Sequence, residues 1–311
     1  MNDDIDVSIL SGQQIEGLLK QLTDQGYRFT RQYAPRDVYF GHPAGTHLLK
    51  GIILDTETTG TDFENDHIIG LGMVAFEYCP ASGLIGKVLG TFNQLEYPGG
   101  PIPPSSTGIH HITDEMVAGK SIDDDDVEAF VAGTSIVIAH NAHFDRPFTE
   151  RRFPIFASLP WACTYQQIPW QFEGFGSGGL EYLAYKSGIH FTGHRASVDC
   201  HALLEVLHAA PLASGNSALK TLVDTALLSD FKVSALNSPF DSKDMLKTRR
   251  YKWNPYAKVW AGSVSGEMMD DEIAWLKANV YNNRPFKLEV EALDASNRFS
   301  NRAGTIKVIE C

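Results

Sequence analysis

Two acidic residues at the end of an apolar segment constrain the fold of this chain more than any other feature. Residues 48–54, Leu-Leu-Lys-Gly-Ile-Ile-Leu, are typical of a buried strand and run directly into Asp55-Thr56-Glu57. Side chains alternate along a strand, so Asp55 and Glu57 point to the same face. Two carboxylates there repel each other and lose hydration unless something compensates them. Mg²⁺ or Mn²⁺, which prefer oxygen ligands, would do so; a solvated strand end is the alternative.

Two further acidic motifs favour the metal-binding interpretation. The apolar residues 135–139 predict a buried strand, and Asp145 follows it in the first turn of a predicted helix. His194 stands five residues before Asp199. If a helix begins at Ala196, Asp199 lies in its first turn and His194 on the loop before it. Singly, such residues are most often helix-start carboxylates and surface histidines, but together they predict one shared site.

Together the three motifs resemble those of the DEDDh family of 3′–5′ exonucleases, including the proofreading epsilon subunits of DNA polymerase III and related bacterial exonucleases. The resemblance covers roughly residues 48–210 and rests on Asp55 with Glu57, on Asp145, and on His194 with Asp199. It implies a ribonuclease H-like fold and hydrolysis of terminal phosphodiester bonds of DNA to nucleoside 5′-monophosphates.

The resemblance also implies a role for each of the five residues. Asp55 would bridge two divalent cations, Mg²⁺ or Mn²⁺, while Glu57 and Asp199 complete the first and Asp145 holds the second. His194 would be the general base that takes a proton from the attacking water, since histidine accepts protons near neutral pH.

Three residues beside these motifs are candidates for binding the 3′-terminal nucleotide: Thr58, His110 and Asn141. Family members commonly have His-Gly-Ile-Thr where this chain reads His110-His111-Ile112-Thr113. Because glycine permits close backbone approach, His111 in its place is expected to narrow the pocket or stack on a base. The alternative is that both histidines are simply loop residues.

The predicted fold is α/β: a ribonuclease H-like mixed five-stranded sheet flanked by helices, with a small C-terminal α+β domain. We predict three segments, a helical extension at 1–45, the exonuclease domain at 46–228 and the C-terminal domain at 229–311. Within the exonuclease domain we expect strands at 68–76, 84–95 and 135–139 and helices at 143–152, 179–186 and 196–209, and we read 98–106 as a loop.

The C-terminal segment is predicted to contain strands at 231–236 and 286–293, helices at 242–250 and 270–281, and an aromatic hairpin at 251–261. Residues 247–260 interleave five cations with four aromatic residues. Such a surface suits single-stranded nucleic acid. Alternatively, Trp253 and Trp260 form the core of a small domain, which needs its aromatic residues for packing.

The distribution of charge is consistent with a metal-dependent nuclease. The chain has a formal net charge of −12, yet residues 229–311 contain 13 Lys and Arg against 11 Asp and Glu, so the acidity lies in residues 1–228. An acidic domain attracts phosphate only where its carboxylates hold cations. The four cysteines form no CxxC pair, which argues against a zinc site or a disulfide framework.

We expect a cytoplasmic protein whose main partner is nucleic acid, namely a single-stranded DNA 3′ end, with a separate polymerase as a further partner. The first six residues, Met-Asn-Asp-Asp-Ile-Asp, are unlike a signal peptide, and the chain has no apolar run long enough to span a bilayer. Two alternatives remain open at this stage: an exoribonuclease acting on RNA ends, and a nucleic-acid-binding accessory subunit of a polymerase.

Overall fold

The computed structural model describes residues 11–302 and 304–311 and contains two five-stranded sheets. The first six residues, on which the expectation of a cytoplasmic protein rests, lie outside the described residues. The helices are α1 (Gly12–Asp24), α2 (Pro104–His110), α3 (Asp114–Val117), α4 (Asp124–Val131), α5 (Ala142–Arg152), α6 (Thr164–Gln167), α7 (Leu180–Lys186), α8 (Ala196–Ala209), α9 (Ala218–Leu227), α10 (Lys243–Thr248) and α11 (Met269–Asn279). The strands are β1 (Arg31–Gln32), β2 (Leu49–Thr58), β3 (Ile68–Tyr78), β4 (Ile85–Leu95), β5 (Thr134–Ala139), β6 (Trp161–Cys163), β7 (Ile189–His190), β8 (Asp230–Ala235), β9 (Lys252–Asn254), β10 (Val259–Ser265), β11 (Lys287–Leu293) and β12 (Thr305–Glu310).

The first large sheet has the strand order β4-β3-β2-β5-β6. Strands β2, β3 and β4 pair antiparallel, whereas β5 pairs parallel to both β2 and β6. The predicted mixed five-stranded sheet is therefore confirmed, including its antiparallel start. The segment that leads to Asp55 is its central strand, which explains why residues 51–54 are continuously apolar and buried.

Helices cover both faces of this sheet because successive residues of β2 point to opposite sides. Ile53 packs with Leu204 of α8 and Leu222 of α9 in one apolar core. Ile52 packs with Phe148 of α5 and with residues of α4 in the other. Asp55 and Glu57 lie two and four residues after Ile53 in β2. Their side chains therefore point to the same face of the sheet as Ile53, which is the face covered by α8.

The second sheet is antiparallel throughout and has the order β12-β11-β8-β10-β9. Helices α10 and α11 cover one of its faces, with Leu246 and Leu276 in the core. The C-terminal sheet, helices and hairpin occur near their predicted positions, while β12 and α9 were not anticipated. The domain boundaries at residues 45 and 228 stay predictions.

The aromatic residues of the C-terminal hairpin divide between core and surface. Tyr251 is buried, and Trp260 packs against the core of the second sheet. The Trp253 ring is tilted relative to that of Trp260, with ring centroids 5.6 Å apart, but Trp253 remains 48% exposed, and Tyr256 is 95% exposed. Of the two tryptophans, Trp260 therefore contributes to the core of the small domain, whereas about half of Trp253 is exposed.

One local expectation is wrong. The sequence predicts a loop at residues 98–106, but α2 begins at Pro104. Proline is well suited to the first helical position, because its missing N–H has no partner there and its φ is already near the helical value. Among the described residues, no helix combines the length and the apolar character needed to cross a membrane.

Gly72 in β3 sets how closely α8 approaches the sheet. A Cβ atom added at Gly72 would lie 2.4 Å from the Ala196 carbonyl carbon and 2.4 Å from the Ser197 nitrogen, both backbone atoms at the start of α8. Backbone atoms cannot move aside as a flexible side chain does. The absent side chain therefore lets the helix start rest on the strand directly opposite Asp55.

We predict that Gly72→Ala lowers the free energy of unfolding by about 1–3 kcal/mol, because α8 must shift to accept the methyl group. Gly90→Ala in β4 is the matched control, since a Cβ there meets only Phe130 at 3.5 Å. It should change stability by less than about 0.5 kcal/mol. Urea unfolding measures both, and equal stability of the two variants would contradict this account.

Candidate active site

Asp55 and Glu57 lie near the end of β2, and both are half-buried. Their cross-strand partners in β3 are Gly72 and Gly70. Directly opposed residues of an antiparallel pair project to the same face, so the two glycines leave open the space beside the carboxylates. The start of α8 occupies part of that space.

The third motif reaches this space from α8. Asp199 is in the first turn of the helix, and its Oδ2 atom accepts a hydrogen bond from the Arg195 backbone N–H at 3.0 Å. One carboxylate oxygen from each of Asp55, Glu57 and Asp199 lies within 4.8 Å of the other two. Three of the predicted ligands, from two segments far apart in sequence, therefore meet in one cluster.

The second motif reaches the same strand from the opposite face of the sheet. Asp145, in the first turn of α5, is 3% exposed. Its Oδ1 atom accepts hydrogen bonds from the Thr56 N–H at 3.0 Å and from Thr56 Oγ1 at 2.8 Å. Because Thr56 stands between Asp55 and Glu57, Asp145 is held against the first motif, although it lies outside the three-carboxylate cluster.

Burial disfavours ionisation of all four carboxylates, and neighbouring acids add to this effect at Asp55 and Glu57. Burial raises the pKa of Asp55 well above its ordinary value, and the charges of Asp145, Asp199 and Glu57 raise it further. Burial, followed by the charges of Asp199 and Asp145, raises the pKa of Glu57 to about 7. Burial likewise raises the pKa of Asp145 to about 7, against the Thr56 hydrogen bonds.

The positive charges of Arg195 and His194 lower the pKa of Glu57 and of Asp199 respectively, but neither side chain forms an ion pair with these acids in the described part of the chain. None of the ion pairs formed within residues 11–302 and 304–311 includes any of the four carboxylates. Four converging carboxylates that form no ion pair are characteristic of a site that binds cations. The donor set consists of oxygen atoms, which suits hard divalent ions.

His194 lies on the loop that leads into α8 and is exposed to solvent. Its φ of 65° is in the left-handed region, which is uncommon for a residue with a side chain. Burial raises the pKa of Asp199, while the Arg195 N–H and the charge of His194 oppose that rise. His194 is thus placed beside the cluster, and its role as a base stays a prediction.

The three candidates for nucleotide binding have different environments. Thr58 is buried, and its Oγ1 donates to the Gly60 carbonyl at 2.6 Å. His110 is buried at the end of α2, where its Nδ1 accepts from the Ile112 N–H at 3.0 Å. Asn141 is exposed at the start of α5 and caps no helix N–H with its side chain. Their binding roles stay predictions.

The backbone conformation of His111 explains why family members usually have glycine at this position. It follows the last residue of α2 with φ 58°, in the left-handed region that glycine adopts most readily. The family's glycine therefore fits a conformational requirement of the helix end, in addition to permitting close approach of the backbone to substrate. The His111 side chain is exposed.

Three residues that shape the site are absent from the candidates drawn from the sequence. Thr56 is one of them, and no motif indicates that it binds Asp145. The glycines of β3 carry a visible signal, since Gly70 and Gly72 are two residues apart in a strand pattern and so line one face. Paired glycines of this kind indicate that another backbone approaches closely.

Comparison with known proteins relates this arrangement to exonucleases. Residues 52–207 match the family model RNase_T, described as exonuclease. The DNA polymerase III subunit epsilon of Treponema pallidum (strain Nichols) is 33% identical over 162 residues, covering 49% of this chain and 72% of that protein. The PolC-type DNA polymerase III of Clostridium perfringens (strain 13 / Type A) is 27% identical over 168 residues, or 50% of this chain but 11% of that polymerase.

Two solved structures are also similar. Exonuclease X in complex with 5′-overhanging duplex DNA has 28% sequence identity and a TM-score of 0.40, covering 56% of this chain and 98% of that chain. Exonuclease I has 16% identity and a TM-score of 0.44, covering 60% of this chain and 48% of that chain.

Burial of Glu57, together with repulsion from Asp199 and Asp145, predicts a pH-dependent gain in stability for Glu57→Gln without metal. In the wild type, folding holds the Glu57 pKa near 7, above its ordinary value of 4.5, so the folded state loses stability as pH rises through this window. The amide cannot ionise. Urea unfolding in EDTA should therefore show Glu57→Gln more stable than wild type by about 1 kcal/mol at pH 8 and by less at pH 5.

Glu128→Gln, an exposed acid on α4, is the control and should show no such pH-dependent gain. Adding Mn²⁺ at pH 8 should stabilise the wild type more than Glu57→Gln, because the ion replaces the missing positive partner. If Glu57→Gln were less stable than the wild type at pH 8 in EDTA, ionised Glu57 would not destabilise the metal-free fold, and this account would be contradicted.

Proposed function

The chain belongs to the RNase_T family of exonucleases, and we propose that it is a metal-dependent enzyme that removes nucleotides from the 3′ end of DNA. The observation that carries this proposal is the convergence of Asp55, Glu57 and Asp199 within 4.8 Å, with Asp145 held at Thr56 between the first two. Four acids from three segments have no structural reason to share a site unless cations neutralise them.

The residues present fit a pair of hard divalent ions. Glu57 and Asp199 would hold the first ion together with Asp55, and Asp145 would hold the second with Asp55. Mg²⁺ and Mn²⁺ both accept such oxygen ligands. Bound there, the ions would supply charge stabilisation to the scissile phosphate and acidify the attacking water.

The protein's own groups have two tasks in this reaction. His194, exposed on the loop before α8, would take the proton of the attacking water at a ring nitrogen and release it to solvent. The hydrogen bonds from Thr56 to Asp145 and from the Arg195 N–H to Asp199 fix both carboxylates before any ligand arrives. Water attack on the terminal linkage would release nucleoside 5′-monophosphates.

Three residues around the cluster would hold the 3′-terminal nucleotide. Thr58 follows the first motif directly, and Asn141 begins the helix that carries Asp145. The loop after Thr58 is tied to α2, the helix of His110, by the hydrogen bond from Ser106 Oγ to the Thr59 carbonyl at 2.6 Å. These contacts would place Thr58, His110 and Asn141 around one end of the substrate.

DNA is the proposed substrate because the epsilon subunit and the PolC-type relative are both components of DNA polymerase III by name. A polymerase partner and a proofreading or repair role are proposed on the same basis. RNA would be distinguished at the 2′-hydroxyl. Degradation of matched DNA and RNA oligonucleotides therefore tests the substrate class directly.

We expect the purified full chain with Mn²⁺ or Mg²⁺ to shorten a 5′-labelled single-stranded DNA stepwise from its 3′ end. Asp55→Asn should lower kcat by about 10³-fold or more, since it removes a ligand shared by both ions. His194→Ala should lower kcat by roughly 10²–10⁴-fold, the usual contribution of a general base. Gel electrophoresis of the time course measures both effects.

Asp125→Asn, an acid-to-amide change at the exposed start of α4, is the matched control and should retain wild-type activity. Addition of EDTA should stop the reaction, and excess Mn²⁺ should restore it. Wild-type protein that leaves every DNA 3′ end intact in the presence of metal would overturn the proposal.

A further inference from the structure

The loop that joins β11 to β12 lies against the first sheet and α5. We call residues 294–302 the brace loop. Phe299 of this loop is 4% exposed and belongs to the same apolar core as Phe148 of α5. Its ring also meets His143 edge-on, with centroids 5.0 Å apart. The Ala295 carbonyl accepts a hydrogen bond at 2.7 Å from the N–H of Trp161 in β6, the edge strand of that sheet.

The brace loop accepts three hydrogen bonds from one buried arginine. Arg146 directly follows Asp145 in α5, and its side chain is 0% exposed. Its Nη1 atom donates to the carbonyls of Arg298 at 2.6 Å and Ala295 at 3.2 Å, and its Nη2 atom donates to the carbonyl of Ser296 at 2.5 Å. A buried guanidinium needs acceptors on all its edges, and this loop supplies most of them.

A second contact lies one helical turn further along α5. Glu150 accepts the Arg146 Nε–H at 2.6 Å through Oε1. Its Oε2 atom accepts from Ser300 Oγ at 2.6 Å and from Arg302 Nε at 3.2 Å, both in the brace loop. Two successive turns of α5 are therefore fixed to the C-terminal segment.

Helix α5 is thus held from two sides at its first turn. On one side the Asp145 carboxylate accepts both hydrogen bonds from Thr56 in β2. On the other side the next residue, Arg146, is held by the brace loop. We propose that Arg146 is a positioning residue for Asp145, and that the C-terminal segment contributes to metal binding through the brace loop. The inference rests on the proposed function of Asp145 as a metal ligand.

The geometry requires arginine rather than just a positive charge. A guanidinium presents its donors in a rigid planar fork, which matches carbonyls that approach from several directions. A lysine ammonium keeps the charge but cannot reach the same three carbonyls and Glu150 together. Arg146→Lys therefore weakens the contacts between α5 and the brace loop while it retains the positive charge at this position.

The test compares Arg146→Lys with Arg152→Lys in the full chain. Arg152 lies on the same helix but pairs with Glu96 and Asp124, away from the brace loop. Mn²⁺ binding is measured by the loss of the free-ion electron paramagnetic resonance signal, and hydrolysis with the p-nitrophenyl ester of thymidine 5′-monophosphate. We expect Arg146→Lys to weaken Mn²⁺ binding and lower kcat by about tenfold each, with KM within about twofold of wild type. Arg152→Lys should bind Mn²⁺ as wild type does.

Asp294→Ala changes the brace loop instead of Arg146. It therefore tests the same contact if Arg146→Lys fails to fold. The Asp294 carboxylate shapes the brace loop by accepting the Ser296 N–H at 2.7 Å, and it makes no hydrogen bond to Arg146. It should weaken Mn²⁺ binding in the same direction. Wild-type Mn²⁺ affinity in folded Asp294→Ala, or in folded Arg146→Lys, would overturn the inference. Absence of hydrolysis by the wild type would instead overturn the proposed function.

Discussion

Mutual repulsion among four carboxylates is the constraint around which the first sheet and its helices are arranged. Asp55, Glu57, Asp145 and Asp199 come from three separate segments. Burial disfavours the ionised form of each, and the charges of neighbouring cluster acids add to this effect at Asp55 and Glu57. Within the described residues none of the four forms an ion pair, and only the more distant charges of Arg195 and His194 oppose the rise in pKa at Glu57 and Asp199. Such an arrangement costs stability in the free protein and is useful only when cations occupy it.

Close packing on both faces of β2 holds the repelling groups together. On one face, the absence of a side chain at Gly72 lets the backbone at the start of α8 rest on β3, which brings Asp199 to Asp55. On the other face, Thr56 binds Asp145 while the brace loop holds Arg146 behind it. The site therefore depends on the central strand, on two helix starts and on a loop from the second sheet.

Most of the first sheet and the four acids could be predicted from local patterns. Each signal lies within a short segment. These signals are the apolar residues before Asp55, the two-residue spacing of Asp55 and Glu57, and the first-turn positions of Asp145 and Asp199. The partners of Arg146 could not be predicted, because its acceptors are carbonyls about 150 residues away that leave no mark on side-chain identity. The bond from Thr56 to Asp145 was missed for a related reason, since strand parity places Thr56 on the other face from the acids it separates.

The most direct measurement is the anomalous scattering of Mn²⁺ in crystals of the full chain grown with thymidine 5′-monophosphate. The account predicts two manganese peaks about 4 Å apart. One should be bound by Asp55, Glu57 and Asp199, and the other should lie on the Asp145 side of Asp55. Manganese bound elsewhere, with these four carboxylates free of metal, would contradict it.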